Sequence, residues 1–311
     1  MLLGPSGERV LLRNAGTLAA LHRAMATRAP SIDATQAVRA ASPALVFLGR
    51  AGYAAKGIVF VVIGALAAGA AVGTGGKTTD SRGALHEIGD GPMGTLALIA
   101  IGVGLLGYMV WRLVAAATDA EGKGDEPTSL ALRAAQAGRG IVYGMLGVQA
   151  LRGIDGDAGS QDGAARHWTA RLLDMPLGPT LVICTGIGVL GYAAYQLYRA
   201  FSDRAKRHLD LAQAGPTVAT WIVRLGRFGI AARAVVFAMI GVFLIRAGVR
   251  EDSGEAGGIA QSLRALGSTD HGRIVLSIVA FGLIAYGIYQ LATARYRHMR
   301  AIGAQSAPFA G

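Results

Sequence analysis

The chain has 311 residues, of which 52% are hydrophobic and only 16% charged, and its formal net charge is +11. Together with 46 glycines, this composition excludes an ordinary soluble enzyme and a disordered chain and is typical of a membrane protein. The positive charge indicates contact with anionic lipid headgroups, and we expect no nucleic-acid partner.

The first segment, 1–48, contains five arginines, few acidic residues and no continuous apolar stretch before Ala44. A cleaved secretory signal is therefore not predicted. Two interpretations remain open for this cytoplasmic extension: a partly disordered segment, and a helix that lies on the membrane surface.

Six transmembrane helices are predicted after this extension. Two stretches, 140–151 and 234–245, are short and reach the length of a bilayer crossing only when counted from Arg133 and Arg227. The other four exceed the roughly 18 apolar residues that mark a spanning helix. They are 57–76, 91–111, 175–198 and 274–294.

Three repeat units of two helices each organise these spans. Every unit opens with an arginine and carries a second cation six residues later, and its second helix is predicted to begin at a glycine fourteen residues before a repeated tyrosine. Unit 1 (49–119) has Arg50, Lys56, Gly94 and Tyr108; unit 2 (132–203) has Arg133, Arg139, Gly178 and Tyr192; unit 3 (222–299) has Arg227, Arg233, Gly272 and Tyr286.

Two crossings return the chain to its starting side, so the three units share one orientation. We therefore predict an all-α, multi-pass membrane protein whose six transmembrane helices form three parallel helical-hairpin repeats in a pseudo-threefold arrangement.

Most of the 30 Lys and Arg residues lie outside the loops within the units, so both termini, including the tail 300–311, are predicted to be cytoplasmic. Amphipathic stretches in those loops are predicted to lie on the membrane surface.

A glycine-rich hexapeptide recurs in the second helix of each unit, at 102–107, 186–191 and, in degenerate form, 280–285. Its Gly-x-Gly-x-x-Gly pattern matches a dinucleotide-binding fingerprint, but that fingerprint requires a preceding strand, and here the pattern lies inside an apolar span. In a bilayer, small residues let two helix backbones approach closely. Helix packing is therefore predicted for Gly102, Gly104, Gly107, Gly186, Gly188, Gly191 and Gly282.

The second cations, Lys56, Arg139 and Arg233, are candidate anion or lipid-phosphate contacts. Each lies roughly 9 Å of helix beyond the arginine that opens its unit. In one interpretation they lie near the cytoplasmic interface and extend their charges to lipid phosphates. In the other they form a ring around the pseudo-axis, as an anion site or a selectivity element.

Aromatic residues mark the last part of each second helix and are predicted to lie at the membrane interface. A long polar residue follows them in each unit: Arg112, Gln196 or Gln290. The interfacial residues are Tyr108 and Trp111, Tyr192 and Tyr195, and Tyr286 and Tyr289.

The order of these motifs resembles a known family. Arg50, Gly52, Lys56 and Gly57, followed after a polar loop by Gly107, Tyr108, Trp111 and Arg112, are similar to the bacterial membrane family of domain of unknown function 1206, in which the unit typically occurs three times. The resemblance covers about 50–299. It implies an integral protein of the bacterial cytoplasmic (inner) membrane with no established activity. The third unit departs from the pattern at Ala234 and Ala285.

No serine, cysteine or carboxylate has an activating partner within a motif, so we predict no catalytic residue and no enzymatic activity, and no metal or cofactor.

Two function classes remain. One is a non-catalytic membrane scaffold or accessory protein, and the other is a transporter or channel for a small solute such as an anion, along the pseudo-threefold axis. A hydrated cavity lined by the repeated cations would favour transport, and a tightly packed glycine core would favour the scaffold. The expected partners are membrane lipids, with a membrane-protein partner or a homo-oligomer as further options.

Overall fold

A computed structural model describes residues 42–74, 76–119, 126–155, 162–202, 215–268 and 271–296. Within them the chain forms nine α-helices, two short 3₁₀ helices (Gly153–Asp155 and Ser253–Glu255) and no strand, so the predicted all-α class is confirmed. Most of the extension 1–48 and all of the tail 300–311 lie outside the described residues. The helices are α1 (Ser42–Val72), α2 (Ser81–Gly89), α3 (Gly94–Ala117), α4 (Pro127–Arg152), α5 (Asp162–Leu173), α6 (Gly178–Phe201), α7 (Pro216–Arg250), α8 (Ile259–Gly267) and α9 (Gly272–Tyr296).

A long helix, a short helix and a second long helix follow each other three times along the chain. The second long helices, α3, α6 and α9, begin at the glycines that the repeat predicts. Glycine is required there because the chain turns directly from the short helix into the long one. A Cβ at Gly94 would lie 1.8 Å from the carbonyl oxygen of Gly89, and one at Gly178 would lie 2.3 Å from that of Leu173.

The first long helices, α1, α4 and α7, begin earlier than the predicted units do. A proline lies at the start of each, at Pro43, Pro127 and Pro216. Proline is favoured in the first helical turn because no hydrogen-bond partner exists there for the missing N–H, and because its fixed φ suits the helix. The second cations, which are counted from the opening arginines, therefore lie further from the starts of these helices than the predicted unit boundaries indicate.

Five helices in the described part of the chain are long and apolar enough to cross a membrane: α1, α3, α6, α7 and α9. This indicates a membrane protein. The remaining long helix, α4, falls short on composition, since its 26 residues include Arg133, Arg139 and Arg152 as well as Gln136 and Gln149. Five of the six predicted spans thus have the composition of a membrane helix.

Long helices of different units meet at three equivalent positions, and at each position a glycine of one helix faces a glycine or alanine of the other. A Cβ on the first-named glycine would lie between 2.7 and 3.0 Å from the carbonyl oxygen of its partner. The backbones could therefore not stay this close if the first residue carried a side chain. The pairs are Gly102 of α3 with Gly147 of α4, Gly186 of α6 with Gly241 of α7, and Gly64 of α1 with Ala280 of α9.

The two long helices within a unit pack together in units 1 and 3. A Cβ at Gly52 would lie 2.2 Å from the Cβ of Tyr108, and one at Gly229 would lie 2.5 Å from the Cα of Tyr286. In unit 2 Ala135 takes the place of that glycine, and a Cβ at Gly188 or Gly191 of α6 would meet no atom of a described residue within 4 Å, unlike one at Gly104 or Gly107 of α3. Contacts between described residues thus link the long helices in the order α4, α3, α1, α9, α7, α6.

Candidate functional site

The second cations of the units lie near the midpoints of α1, α4 and α7, because these helices begin before the predicted units. Lys56 and Arg233 are buried, with 6% and 7% of their surface exposed, and Arg139 is half-buried. All three side chains line one cavity. The structure thus brings together the three residues that the repeat marks as equivalent.

This basic cavity has a volume of about 70 Å³, which is room for a few water molecules or one small polyatomic group. None of the described residues that line it is acidic. Five of them are basic and five are tyrosines. The lining consists of Tyr53, Lys56, Tyr108, Arg112, Arg139, Tyr192, Gln196, Arg199, Ile230, Arg233, Tyr286, Tyr289, Gln290 and Thr293.

Tyrosine rings surround the ammonium group of Lys56. Its Nζ lies 4.5 Å from the ring centroid of Tyr143, 5.6 Å from that of Tyr286 and 5.9 Å from that of Tyr108. A cation over an aromatic face is stabilised by the ring quadrupole, by about 2 kcal/mol or more where water is excluded. Tyr108 lies in α3, Tyr143 in α4 and Tyr286 in α9, so Lys56 lies where units 1, 2 and 3 meet.

Arg233 has a similar aromatic environment. Its Cζ lies 4.6 Å from the ring centroid of Phe237, 5.1 Å from that of Tyr286 and 5.7 Å from that of Phe60. Its Nε is buried and has no hydrogen-bond partner among the described residues. An arginine nitrogen without an acceptor is costly to bury, and this one belongs to a side chain that lines the basic cavity.

Three aromatic pairs join the units at the level of these cations. In each pair a tyrosine of one unit meets the ring four residues beyond the second cation of another, with centroids 4.9 to 5.6 Å apart and ring planes steeply inclined. Such edge-to-face contacts are favourable for aromatic rings. The pairs are Tyr108 with Tyr143, Tyr192 with Phe237, and Tyr286 with Phe60.

Arg112 is held in place by two tyrosines. Its Nε donates to the hydroxyl oxygen of Tyr108 at 3.0 Å, and its Nη2 donates to that of Tyr53 at 2.8 Å. Its repeat equivalents, Gln196 and Gln290, are also buried and line the basic cavity. The repeated polar residue therefore belongs to the same site as the repeated cation.

No carboxylate of a described residue lines the basic cavity. None of the six long helices contains an aspartate or a glutamate. In the loops within the units, by contrast, Glu87 pairs with Lys77 at 2.8 Å and Glu255 with Arg246 at 3.2 Å. The described residues also contain no group of three or more His, Cys, Asp or Glu side chains that could hold a metal ion.

The aromatic residues for which an interfacial position is predicted occupy different environments. Tyr195 is exposed and Tyr192 is half-buried. The other four, Tyr108, Trp111, Tyr286 and Tyr289, are buried. Each second helix continues for nine or ten residues beyond its repeated tyrosine, and the tyrosines line the basic cavity.

The glycines for which helix packing is predicted also divide into two groups. Gly102, Gly104, Gly107, Gly186 and Gly282 lie against a neighbouring helix so closely that a Cβ would come within 2.1 to 3.1 Å of its atoms. For Gly188 and Gly191, both on α6, no atom of a described residue lies within 4 Å of the position of a Cβ.

Tyr53, Arg199 and Thr293 line the basic cavity although the sequence analysis did not single them out. Their positions are not of constant type across the units: Tyr53 corresponds to Gln136 and Ile230, and Arg199 corresponds to Ala115 and Thr293. A repeat comparison detects residues that recur. It passes over a position where each unit contributes a different side chain.

The family described as Domain of Unknown Function (DUF1206) matches three stretches, 51–119, 134–203 and 228–297. An uncharacterized protein of Bacillus subtilis (strain 168), YxxB, is 35% identical over 253 residues, which are 81% of this chain and 90% of that protein. No solved structure matches the chain.

Proposed function

Since the chain belongs to the family described as Domain of Unknown Function (DUF1206), as the order of its motifs predicts, we propose a function from the basic cavity: the protein binds an anion inside the membrane. This corresponds to the transporter or channel class, and it is not an enzymatic role. One observation carries the proposal. Five basic side chains line one cavity that has no acidic residue among its described lining.

Electrostatics supports an anionic ligand. Removing an ion from water costs several kcal/mol even after the protein relaxes, and ionisable groups inside a membrane usually mark a ligand or ion pathway. Aromatic rings offset part of this cost for Lys56 and Arg233. An anion in the cavity would offset far more, because it would interact with several of the five cations at short range and low dielectric.

The repeated contacts support the arrangement that surrounds the site. We propose that α4 is the sixth span and that three parallel hairpins stand around a pseudo-threefold axis. Equivalent glycine contacts link unit 1 to unit 2, unit 2 to unit 3, and unit 3 to unit 1. In this arrangement Lys56, Arg139 and Arg233 surround the axis, and the distribution of Lys and Arg favours cytoplasmic termini in an inner membrane.

A membrane scaffold is the second candidate, with lipids and a membrane-protein partner or a second copy as its ligands. It is favoured by the close packing beyond the cation level, where Ile63, Leu105 and Leu283 are fully buried in the main apolar cluster. A scaffold requires no passage for a solute. The two candidates therefore differ in whether an anion crosses the bilayer.

Reconstitution into liposomes distinguishes them. Inorganic phosphate and chloride would be tested as solutes, with wild-type protein, with the triple variant Lys56→Gln, Arg139→Gln, Arg233→Gln, and with Arg224→Gln, which removes an exposed positive charge outside the cavity. We expect wild type and Arg224→Gln to bind and move an anion and the triple variant to lose both. Binding without flux favours the scaffold, and the absence of anion binding by wild type contradicts the proposal.

A further inference from the structure

We propose that the ligand of the basic cavity is the phosphate group of an anionic phospholipid, which reaches the cavity sideways through an opening between α4 and α6. This inference rests on the anion site proposed above and specifies the chemical class of its ligand. Its starting point is the way in which unit 2 departs from units 1 and 3.

In units 1 and 3 a small-residue contact closes the space between the two long helices. A Cβ at Gly104 of α3 would lie 3.1 Å from the Cβ of Ala55 in α1. The equivalent contact in unit 3 is tighter, since a Cβ at Gly282 of α9 would lie 2.1 Å from the Cβ of Ala232 in α7. Nothing larger than these side chains fits between the helices there.

In unit 2 the same two positions are Gly138 on α4 and Gly188 on α6, and each faces a space that no described residue fills. A Cβ on either glycine would meet no atom of the described residues within 4 Å. The opening is therefore bounded by two residues without side chains, at the positions that close units 1 and 3. It is also consistent with the low burial of α6, whose most apolar window is 22% buried, against 44 to 56% in the other candidate spans.

The opening leads to the basic cavity along one face of α6. Gly188, Tyr192, Gln196 and Arg199 follow each other at intervals of three or four residues, which places them on one side of a helix. The last three line the cavity. On the opposite side of the opening, Arg139 of α4 directly follows Gly138 and also lines the cavity.

The groups along this route suit a phosphate ester. Arg139 and Arg199 are half-buried and come from the two helices that flank the opening, whereas Lys56 and Arg233 are buried and come from α1 and α7. Arginine donates to phosphate oxygens in a planar, two-pronged geometry. Gln196 is 4% exposed, and its Oε1 has no hydrogen-bond partner among the described residues. A headgroup hydroxyl could donate to it.

Size and surroundings favour a lipid over a free anion at this opening. A cavity of about 70 Å³ holds a phosphate group but not the acyl chains, which would remain between α4 and α6. The exposed side chains of these helices near this depth include the apolar Val142, Met145 and Ile187. Hydrocarbon chains can lie against such a surface, whereas a free anion would have to cross bilayer hydrocarbon to reach the opening.

The test compares three probes on the purified full chain in detergent: phosphatidylglycerol, which is anionic, phosphatidylcholine, which is zwitterionic, and inorganic phosphate. Binding would be measured by native mass spectrometry and by the increase in the unfolding temperature. Gly188→Leu fills the opening and leaves every cation in place. Gly258→Leu is its matched control, since Gly258 also faces open space but lies at the start of α8.

We expect wild type and Gly258→Leu to bind phosphatidylglycerol about tenfold more tightly than phosphatidylcholine, because the phosphodiester is the same in both lipids and the cations of the cavity repel the quaternary ammonium of choline. Gly188→Leu should bind phosphatidylglycerol about tenfold more weakly than wild type and bind inorganic phosphate unchanged, because only the space for the acyl chains is lost. Lys56→Gln with Arg233→Gln should lose both ligands.

Three outcomes would overturn the inference. If Gly188→Leu binds phosphatidylglycerol as wild type does, the opening is not the route, although the anion site stands. If wild type binds inorganic phosphate but does not prefer phosphatidylglycerol, the ligand is a free anion. If wild type binds none of the probes, the proposed anion site falls together with the inference. A cooperative thermal unfolding transition in the absence of ligand would show that a variant is folded.

Discussion

The ammonium group of Lys56 lies within 6 Å of three tyrosine ring centroids, and the closest ring belongs to Tyr143 of another unit. Rings that face a buried cation stabilise it without neutralising it. The rings therefore lower the cost of a positive charge on Lys56 inside the fold. Burial among three rings also distinguishes Lys56 from a lysine whose side chain extends to the membrane surface.

A double-mutant cycle would measure this contact. Tyr143→Leu removes the ring, and Lys56→Met removes the charge while keeping most of the side-chain volume. We expect a coupling of about 2 kcal/mol in the free energy of unfolding, because the site is desolvated. Tyr143→Phe, which keeps the ring face, serves as the control and should retain most of the coupling. A coupling near zero would show that the ring does not stabilise the charge.

Two glycines two residues apart on α6 provide a second test at this scale. A Cβ at Gly186 would lie 2.9 Å from the carbonyl oxygen of Gly241, whereas one at Gly188 would meet nothing within 4 Å. Gly186→Ala should therefore destabilise the protein by roughly 1 to 3 kcal/mol through overpacking. Gly188→Ala should be neutral or stabilising by up to about 1 kcal/mol, since alanine is the better helix former. Thermal unfolding of the two variants in one detergent would compare them, and equal midpoints would contradict the packing.

Repeated residues of the site could be found from the sequence, and unrepeated ones could not. Lys56, Arg139 and Arg233 recur at one position, so their convergence on a single cavity follows from the repeat. Arg199 has no basic counterpart in the other units. Gly188 shows a different limit, because glycine is equally suited to a tight contact and to an opening, and only the position of the neighbouring helix decides between them.

Helix α4 differs from the other long helices in its composition. It is long enough to cross a bilayer, but three arginines lower its apolarity. Its Gly147 nevertheless contacts Gly102 of α3, as the equivalent glycines of the other first helices contact their neighbours. Packing against α3, and contact between Arg139 and a hydrated cavity instead of lipid, would let such a helix cross the membrane.

Thiol labelling would test whether α4 spans. In a background where the native cysteine is replaced, Cys184→Ser, single cysteines would be placed at Glu126 and Arg152, which lie at the two ends of α4 and are exposed. We expect a membrane-impermeant thiol reagent to label residue 152 and not residue 126 from the outside of intact cells. Both would react once the membrane is permeabilised. Labelling of both from the outside, or of neither, would show that α4 does not cross.

Helix boundaries were predictable where one residue type determines them. The second long helices begin at Gly94, Gly178 and Gly272 because no other residue fits beneath the preceding short helix. For the first helices, the repeated arginines were the more prominent feature, but the helices begin at prolines well before them. Because these helices begin at the prolines, the second cations lie at mid-helix, and so nearer to the middle of a membrane than the opening arginines indicate.

At the scale of the described helices, contacts between neighbours surround the basic cavity. Units 1 and 3 are closed by contacts between their own helices, and glycine contacts join each unit to the next. Unit 2 keeps its contacts with the neighbouring units, but no described atom fills the equivalent internal position beside Gly138 and Gly188. In the arrangement proposed above, the repeat supplies five of six contacts, and its departure at the sixth position is the opening.

The stability of such an enclosure should depend on its ligand. Cations without counter-charges reduce the stability of the empty protein, so replacing two of them with apolar residues of similar length should leave it unchanged or raise it by about 1 to 4 kcal/mol. The double variant Lys56→Met, Arg233→Met should also lose the increase in unfolding temperature that phosphate or an anionic lipid gives to wild type. Arg224→Met, in which the charge removed is exposed, should keep that increase. A double variant that unfolds well below wild type without ligand would instead make these cations structural and favour the scaffold.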